Sequence, residues 1–351
     1  MNSASVLISC GGIGMGNASR VMAVVQSLHA IATKNNIRLT CIVVSWGSGY
    51  RFLEEYKRRG SVQFELHALR TYRHFRFSFL RFPFAYIANI LSLWKLVRHA
   101  KPGAVLLDSD YHFPAFWLSK CPLFFIGQAN DIVDRAHENR YQPRSVKEWF
   151  NWLFREKLDS WIQNLMADKV FVPSFNPDSG GDSCCLKVPL IVREDFQNHP
   201  LHHPEQPAVG LLLSGSETEK KPFLTLSQEH NLIAISPANA NGHPVISSPE
   251  MLDRLDVVLV QGGLSSISEC IARRRFMAVF PIKDHPEQIL NAFEVQRLGL
   301  GIACTLTDLQ DFSSLLKKIR EKRTLQPAIN ISCNGSEHVA QFILNQLHFS
   351  A

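Results

Sequence analysis

The stretch from Asp256 to Ala292, DVVLVQGGLSSISECIARRRFMAVFPIKDHPEQILNA, predicts a strand, a glycine turn and a helix in direct succession. The apolar run Val257–Val260 is the strand, Gly262–Gly263 forms the turn, and Ser265–Ser266 begins the helix. Glycines let a backbone approach a ligand closely, hydroxyls donate hydrogen bonds, and the first N–H groups of a helix point at an anion. The stretch therefore predicts a phosphate site.

A carboxylate lies beside this predicted phosphate site. Glu269 follows Ser265 by four residues, so both lie on one face of the predicted helix. A carboxylate repels phosphate but accepts hydrogen bonds from the vicinal hydroxyls of a sugar. A phosphate site next to a polyol site is typical of nucleotide binding. A second short strand, Met277–Phe280, and a helix near Gln288–Asn291 complete the stretch.

Length and composition indicate a folded protein of two domains. The 351 residues exceed one ordinary hydrophobic core, and 46% apolar with 19% charged residues exclude a disordered chain. The net charge of +6 discriminates little between partners. The cysteines lack zinc-ligand spacing. The N-terminus lacks signal-peptide features. The longest apolar run, Phe82–Val97, is too short and too polar to span a bilayer. A cytoplasmic protein without a metal site is the expectation.

Short apolar strands alternate with helices along the chain, which predicts α/β domains with parallel, doubly wound (Rossmann-like) sheets. We expect an N-terminal domain over 1–195, a Pro- and His-rich linker over 196–207, a second domain over 208–334 and a tail helix over 335–351 that packs back on the first domain. Ligands of such sheets bind at the carboxyl ends of the strands, so a cleft between the domains is the expected site. The predicted strands are Val6–Ser9, Leu39–Ser45, Val62–Leu66, Ala104–Leu107, Leu123–Ile126, Val170–Val172, Val188–Val192, Ala208–Leu213, Leu232–Ile235, Val245–Ile246, Val257–Val260, Met277–Phe280 and Gly301–Ala303.

A second glycine motif, GGIGMGNASR at residues 11–20, directly follows the first predicted strand. Its spacing is not the GxGxxG of dinucleotide enzymes, and Ser45–Ser48 stands where their ribose-binding acid is expected. A dehydrogenase is therefore disfavoured. A tight turn that packs the first helix on the sheet is the plainer alternative.

These two motifs together resemble a known family. GGIGMGNASR is similar to the GGxGxGHxxR loop of two-domain (GT-B) glycosyltransferases of the MurG type, which include diacylglycerol glycosyltransferases. The stretch that begins at Gly262 is similar to their signature GGxxTxxExxxxGxPxxxxPxxxxDHQxxNA. The matching positions of this second signature are Gly262, Gly263, Ser266, Glu269, Pro281, His285, Gln288, Asn291 and Ala292.

The resemblance implies an inverting transfer of a sugar from a nucleotide sugar, most often UDP-linked, to an acceptor hydroxyl, without a metal or cofactor. It implies that Glu269 accepts from the ribose hydroxyls and that Gln288 and Asn291 bind the donor sugar. Ordinary helix-surface roles remain the alternative for each. The positions implied to contact the diphosphate are Gly262, Gly263, Ser265 and Ser266, with the loop Ser214, Gly215 and Ser216 as a second candidate. The pair Val245 and Ile246 is implied to contact the base. Gly12 and Gly14 are also implied ligand-binding positions.

One departure from the family concerns the catalytic base. Asn17 stands where the family has a histidine, and an amide can position an acceptor but cannot take its proton. Candidate bases follow the strand Ala104–Leu107 and the strand Leu123–Ile126, and capping or loop roles are the alternative for each. They are Asp108, Asp110, His112 and Asp131.

The segment 70–94, RTYRHFRFSFLRFPFAYIANILSLW, interleaves arginines with aromatic residues. We interpret it as an amphipathic membrane-surface contact, with a buried helix as the alternative. No nucleic-acid-binding fold accompanies it, so nucleic acid is not an expected partner. Membrane contact would place the protein at the inner face of the cell membrane, with a lipid-linked or cell-envelope glycan acceptor. Two other functions stay open: a nucleotide-sugar hydrolase of the same fold and a non-catalytic nucleotide-sugar binding protein.

Overall fold

A computed structural model describes residues 3–12, 14–60, 62–71, 78–117, 121–138, 141–177, 184–202, 208–213, 220–235, 246–323 and 330–347. Contacts divide the chain into two compact units. The first unit is Met1–Gly127, Ile162–Val188 and Asn334–Ala351, and the second is Gln128–Trp161 and Pro189–Cys333. No helix within the described ranges is long and apolar enough to cross a membrane.

Each unit contains one parallel sheet. The strands are β1 Ser3–Cys10, β2 Arg38–Ser45, β3 Glu65–Ala68, β4 Ala104–Asp108, β5 Leu123–Ile126, β6 Lys169–Pro173, β7 Cys185–Val188, β8 Val209–Leu212, β9 Ile233–Ile235, β10 Val257–Val260, β11 Phe276–Val279 and β12 Gly301–Ala303. The first sheet has the order β3-β2-β1-β4-β5-β6-β7, and the second has the order β12-β11-β10-β8-β9. All pairings between neighbouring strands are parallel.

Helices connect these parallel strands. They are α1 Gly16–Lys34, α2 Gly47–Arg58, α3 Ser78–Ala100, α4 Ala129–Glu138, α5 Val146–Asn151, α6 Leu158–Met166, α7 Glu194–Asn198, α8 Lys220–Glu229, α9 Pro249–Asp253, α10 Leu264–Ala272, α11 Pro286–Arg297, α12 Phe312–Arg323 and α13 Gly335–Gln346. A π-helical turn, Trp152–Lys157, joins α5 to α6, and 3₁₀ turns lie at Phe113–Ala115 and Leu306–Asp311.

The central strands are buried on both faces, which explains their continuous apolar sequences. Every residue of β4 and of β10 is buried. In the first unit, Leu7, Val105 and Phe125 belong to one apolar core cluster. In the second unit, the core packs β10 and β11 against α12. The predicted fold class, α/β with two doubly wound parallel sheets, is confirmed.

The units do not follow the predicted domain boundaries throughout. Residues 128–161, assigned from sequence to the N-terminal domain, cluster with the second unit, and so do residues 189–195. The C-terminal helix α13 packs on α1 of the first unit, where the Ser27 and Ser336 hydroxyls are 2.9 Å apart. On the same helix, Phe342 contacts the rings of Phe124 and Phe171 edge-on.

Candidate functional site

The turn after β10 in the second unit has the geometry expected of an anion site. A Cβ atom on Gly262 would lie 2.5 Å from the carbonyl oxygen of Gln288, so α11 packs too closely for any side chain there. At Gly263 no described atom lies within 4 Å of such a Cβ. Gly263 is the N-cap of α10, and Ser265 and Ser266 lie half-buried in its first turn. Helix N–H groups and two hydroxyls thus lie together at this turn.

Glu269 lies in the same helix and is held by two other side chains. It is 5% exposed, and its Oε2 accepts from the Ser247 hydroxyl at 2.7 Å. Its Oε1 is 3.5 Å from Nη2 of Arg193, which also donates to the Ser247 carbonyl at 2.5 Å. The Arg193 guanidinium is itself buried and packs over the Phe196 ring. The carboxylate is therefore fixed in one position before any ligand binds.

The amides predicted to bind the donor sugar are engaged within the protein. Asn291 is completely buried, its Oδ1 accepts from Arg135 at 2.8 Å, and its Nδ2 donates to the Gly262 carbonyl at 3.0 Å. The Oε1 of Gln288 accepts from the Ile282 N–H at 2.9 Å. These bonds hold α11 against the glycine turn. The sugar-binding role of both residues stays a prediction.

Other predicted positions of the second unit are at or beyond the edge of the described residues. Ser214, Gly215, Ser216 and Val245 lie outside them. Ile246 is buried and immediately precedes Ser247, the partner of Glu269. Ile246 is therefore the chain neighbour of a residue that holds the carboxylate.

His285 and Arg193 have structural roles that the sequence analysis did not assign. His285 is the N-cap residue of α11, and its buried Nδ1 has no hydrogen-bond partner in the described part of the chain. Burial lowers the pKa of His285, so the ring is neutral near pH 7. Arg193 precedes the predicted linker, and a lone arginine at a domain edge gives no sequence signal of burial.

In the first unit, the glycine loop packs between two strand ends. A Cβ on Gly11 would lie 2.4 Å from the Ser109 carbonyl oxygen, and one on Gly12 would lie 2.1 Å from that of Trp46. Gly14 has a φ of +78°, which favours glycine. The loop thus requires glycine for close backbone packing, as the turn interpretation predicts, and it brings α1 to the end of β4.

Asp108, at the end of β4, forms a buried ion pair. Arg20 of α1 donates from Nε to Oδ2 at 2.8 Å and from Nη2 to Oδ1 at 2.5 Å. Burial raises the pKa of the Asp108 carboxyl, and the Arg20 charge opposes that increase. Arg20 Nη2 also donates to Asn17 Oδ1 at 3.2 Å, so Asn17 lies beside this pair. Both carboxylate oxygens are engaged, which disfavours Asp108 as a proton acceptor.

Asp110 and His112 form a second buried pair next to it. Asp110 Oδ1 contacts His112 Nδ1 and its Oδ2 accepts from the Ser9 hydroxyl. The Tyr86 ring stacks on the imidazole with centroids 5.3 Å apart, and Asn89 Nδ2 lies 3.5 Å from His112 Nε2. A carboxylate on Nδ1 places the proton there and leaves Nε2 as the basic nitrogen. This arrangement suits general-base catalysis.

Asp131, the fourth candidate base, belongs to the second unit and not to this cluster. It lies in the first turn of α4 and forms an ion pair with Arg135 at 2.7 Å. The contacts of Asn17, Asp108, Asp110 and His112 lie in the first unit, and the ion pair of Asp131 lies in the second. Among the described residues, no three His, Cys, Asp or Glu side chains are arranged to hold a metal ion.

Comparison with known proteins supports the fold. No family model matches the sequence. An uncharacterized glycosyltransferase from Methanopyrus kandleri is 39% identical over 54 residues, which is 15% of this chain and 16% of that protein. The match therefore spans about a sixth of this curated relative.

Solved structures match over nearly the whole chain. MurG from Acinetobacter baumannii has a TM-score of 0.54 at 14% identity and covers 98% of this chain and 100% of its own. UGT2 from Phytolacca americana, in complex with UDP-2-fluoro-glucose and pterostilbene, has a TM-score of 0.63 at 10% identity. The match covers 98% of this chain and 99% of the UGT2 chain. A protein from Listeria monocytogenes described as a UDP-N-acetylglucosamine 2-epimerase has a TM-score of 0.65 at 11% identity. The match covers 98% of this chain and 96% of the Listeria monocytogenes chain. The chain therefore has the GT-B fold of these solved structures.

Proposed function

We propose that this chain is an inverting glycosyltransferase that moves a sugar from a UDP-sugar to an acceptor hydroxyl. The observation that carries the proposal is Glu269, a buried carboxylate fixed by Ser247 and Arg193 in the helix that begins at the glycine turn. A fixed acceptor beside an anion site fits a diol next to a phosphate, which is the ribose of a nucleotide. The UDP-sugar complex of the Phytolacca americana neighbour supports this donor class, and the name of the Methanopyrus kandleri relative supports sugar transfer.

The start of α10 would stabilise the leaving diphosphate. Its first N–H groups carry partial positive charge, and the Ser265 and Ser266 hydroxyls add donors. The bond from the sugar's anomeric carbon to the diphosphate oxygen breaks, and the diphosphate takes the electron pair. In this proposal the helix and its hydroxyls supply the stabilisation, without a metal or cofactor.

His112 is the proposed base. Asp110 holds its Nδ1, whereas Asp108 is bound by Arg20 and Asp131 by Arg135. His112 Nε2 would take the proton of the acceptor hydroxyl as its oxygen bonds to the anomeric carbon. Since His112 is 3% exposed, the side chains that cover it must shift when the acceptor binds.

A membrane-associated acceptor is part of the proposal. Phe84, Ile87 and Leu91 of α3 are three and four residues apart, so they share one face, and all three are exposed. Such a face suits insertion into the headgroup region of a bilayer. It supports a lipid-linked acceptor at the cytoplasmic side of the cell membrane. Arg73 and Arg76 of the predicted contact lie outside the described residues.

Release of UDP tests the proposal. The purified chain is incubated with a panel of UDP-sugars, with and without a lipid extract as acceptor source. Release that requires the extract, with a glycosylated lipid as product, supports the transferase. Equal release without any acceptor would assign the hydrolase instead. Tight UDP binding without turnover on any acceptor would assign the binding protein.

A further inference from the structure

A second exposed apolar surface lies in the second unit, on the helical segment 146–161. Its large side chains face outward along one line, with spacings of four, four, four and three residues. We call it the 146–161 stripe, and its members are Val146, Phe150, Phe154, Leu158 and Trp161, which are 75%, 50%, 56%, 38% and 60% exposed. Monomeric soluble proteins rarely expose a contiguous apolar surface of this kind without a binding role.

The stripe is ordered by ring contacts and by the π-helical turn. Phe150 and Phe154 stack with centroids 5.9 Å apart and an interplanar angle of 9°. Trp149 contacts Phe150 edge-on at 5.2 Å. Residues 152–157 form i→i+5 bonds, which widen the helix and bring side chains four residues apart closer to one line. The rings of Trp149, Phe150 and Phe154 therefore form one continuous surface.

The polarity of this segment is inverted relative to an ordinary surface helix. Its glutamates point inward: Glu148 is 3% exposed and Glu156 is 5% exposed. Its cations are exposed, and they are Arg144, Lys147, Arg155 and Lys157, of which Lys147 lies 3.6 Å from Asp284 Oδ2. Among the charged residues of 144–161, the exposed ones are all cations, and Asp159 is half-buried.

The inward side fixes the segment rigidly. Trp152 packs in an apolar cluster with Ile132, Ala136 and Leu290. The Ser145 hydroxyl accepts from the Glu148 N–H at 3.0 Å, which caps α5. Changes to outward side chains should therefore leave the fold of the segment intact.

We infer that the 146–161 stripe docks on an anionic membrane surface. Exposed aromatic and aliphatic side chains flanked by cations have the composition of interfacial helices, whose apolar face enters the headgroup boundary while Lys and Arg contact anionic lipids. A second copy of the chain fits less well. A two-fold interface would oppose the stripe to itself and bring its four cations together.

The start of the segment has room for a lipid headgroup. A cavity of about 310 Å³ is lined by Pro143, Arg144, Ser145, Val146 and Trp149. It combines a guanidinium with aliphatic and aromatic walls. That combination suits a phosphate ester attached to an acyl chain.

Vesicle co-sedimentation of the full chain tests the inference. Vesicles of phosphatidylcholine alone are compared with equal mixtures of phosphatidylcholine and phosphatidylglycerol. We expect binding to the mixed vesicles that weakens with salt, and a partition coefficient at least tenfold lower for Phe154→Ser/Trp161→Ser. The matched control is Leu224→Ser/Phe293→Ser, two side chains that are 42% and 45% exposed outside the stripe, which should bind as wild type.

Further variants separate the possible outcomes. Lys157→Gln should weaken binding to the mixed vesicles about fivefold and leave binding to neutral vesicles unchanged. If only Ile87→Ser/Leu91→Ser on α3 loses binding, the inference is overturned, although the proposed function stands. Light scattering that shows a dimer, lost in Phe154→Ser/Trp161→Ser, would assign a second copy and overturn it as well. The absence of vesicle binding by the wild type would also overturn it.

Discussion

The proposed contact between Glu269 and ribose makes a quantitative prediction. Glu269→Gln keeps the size and the acceptor oxygen of the side chain but removes its charge. A hydrogen bond to a charged group contributes about 1.5–3 kcal/mol, roughly twice a neutral one, so the substitution should cost about 0.8–1.5 kcal/mol of UDP binding, or about 4- to 13-fold in Kd. The carboxylate is already fixed by Ser247 and Arg193, so little of its interaction energy is spent on ordering it.

A double-mutant cycle separates this contact from a general loss of structure. Calorimetry measures UDP and 2′,3′-dideoxy-UDP with wild type and with Glu269→Gln. We predict that the substitution weakens UDP binding by the stated factor and leaves dideoxy-UDP binding nearly unchanged. Ser247→Ala serves as the control, because it removes one neutral hydrogen bond to the carboxylate and should have a smaller effect. Equal losses for both nucleotides would refute the ribose contact.

Three further predictions concern catalysis, pH and the glycine turn. His112→Gln should lower kcat by about 10²- to 10⁴-fold with unchanged UDP affinity, measured by UDP release and calorimetry, and an unchanged kcat would exclude it as the base. Burial, with a nearby carboxylate, raises the pKa of Glu156 to about 8 from 4.5, so the folded state binds this proton more tightly than the unfolded state. The free energy of unfolding should therefore fall as pH rises from 4.5 through 8, by at most about 1.4 kcal/mol per pH unit. Urea unfolding between pH 5 and 9 measures this slope, which Glu156→Gln should reduce, and an identical slope in the variant would contradict the assignment. Gly262→Ala should destabilise the chain by about 1–3 kcal/mol, since its Cβ would lie 2.5 Å from a backbone oxygen. Gly263→Ala should fold normally, because no described atom lies within 4 Å of its Cβ. Equal stabilities of the two variants in a thermal melt would contradict this packing.

Sequence patterns predicted the fold class because buried parallel strands have continuous apolar runs. The runs Leu123–Ile126 and Val257–Val260 match β5 and β10 at both ends. The last strand of the first sheet was misplaced: the prediction was Val188–Val192, whereas β7 is Cys185–Val188. Val188–Val192 has the more apolar sequence, but Pro189 disfavours a strand there, and Cys185–Val188 is the stretch that pairs with β6.

The local parts of the candidate site followed from the sequence, and the long-range parts did not. The glycine turn and Glu269 share one helix, so spacing alone predicted their proximity. Arg193 lies 76 residues from Glu269 along the chain, and a single sequence has no signal for such a pair. The same holds for Arg20 and Asp108, which are 88 residues apart and form the ion pair that disfavours Asp108 as a base.

The helical segment 146–161 shows another limit of pattern reading. Apolar residues recur in it at helical spacing, as at Trp149, Trp152 and Leu153, and a helix is present. Periodicity alone does not reveal which face is buried, and here Glu148 points inward while Phe154 points outward. Tertiary contacts of Trp152 and the cap at Ser145 decide that orientation.

Nucleotide binding is the central claim, and thermal denaturation with UDP, GDP and TDP tests it most directly. At a hundredfold excess over Kd, a ligand that binds only the folded state stabilises it by about 2.7 kcal/mol. We predict a rise in Tm with UDP that exceeds the rise with GDP or TDP and that Glu269→Gln reduces. An unchanged Tm with every nucleotide, at concentrations up to the millimolar range, would contradict the account.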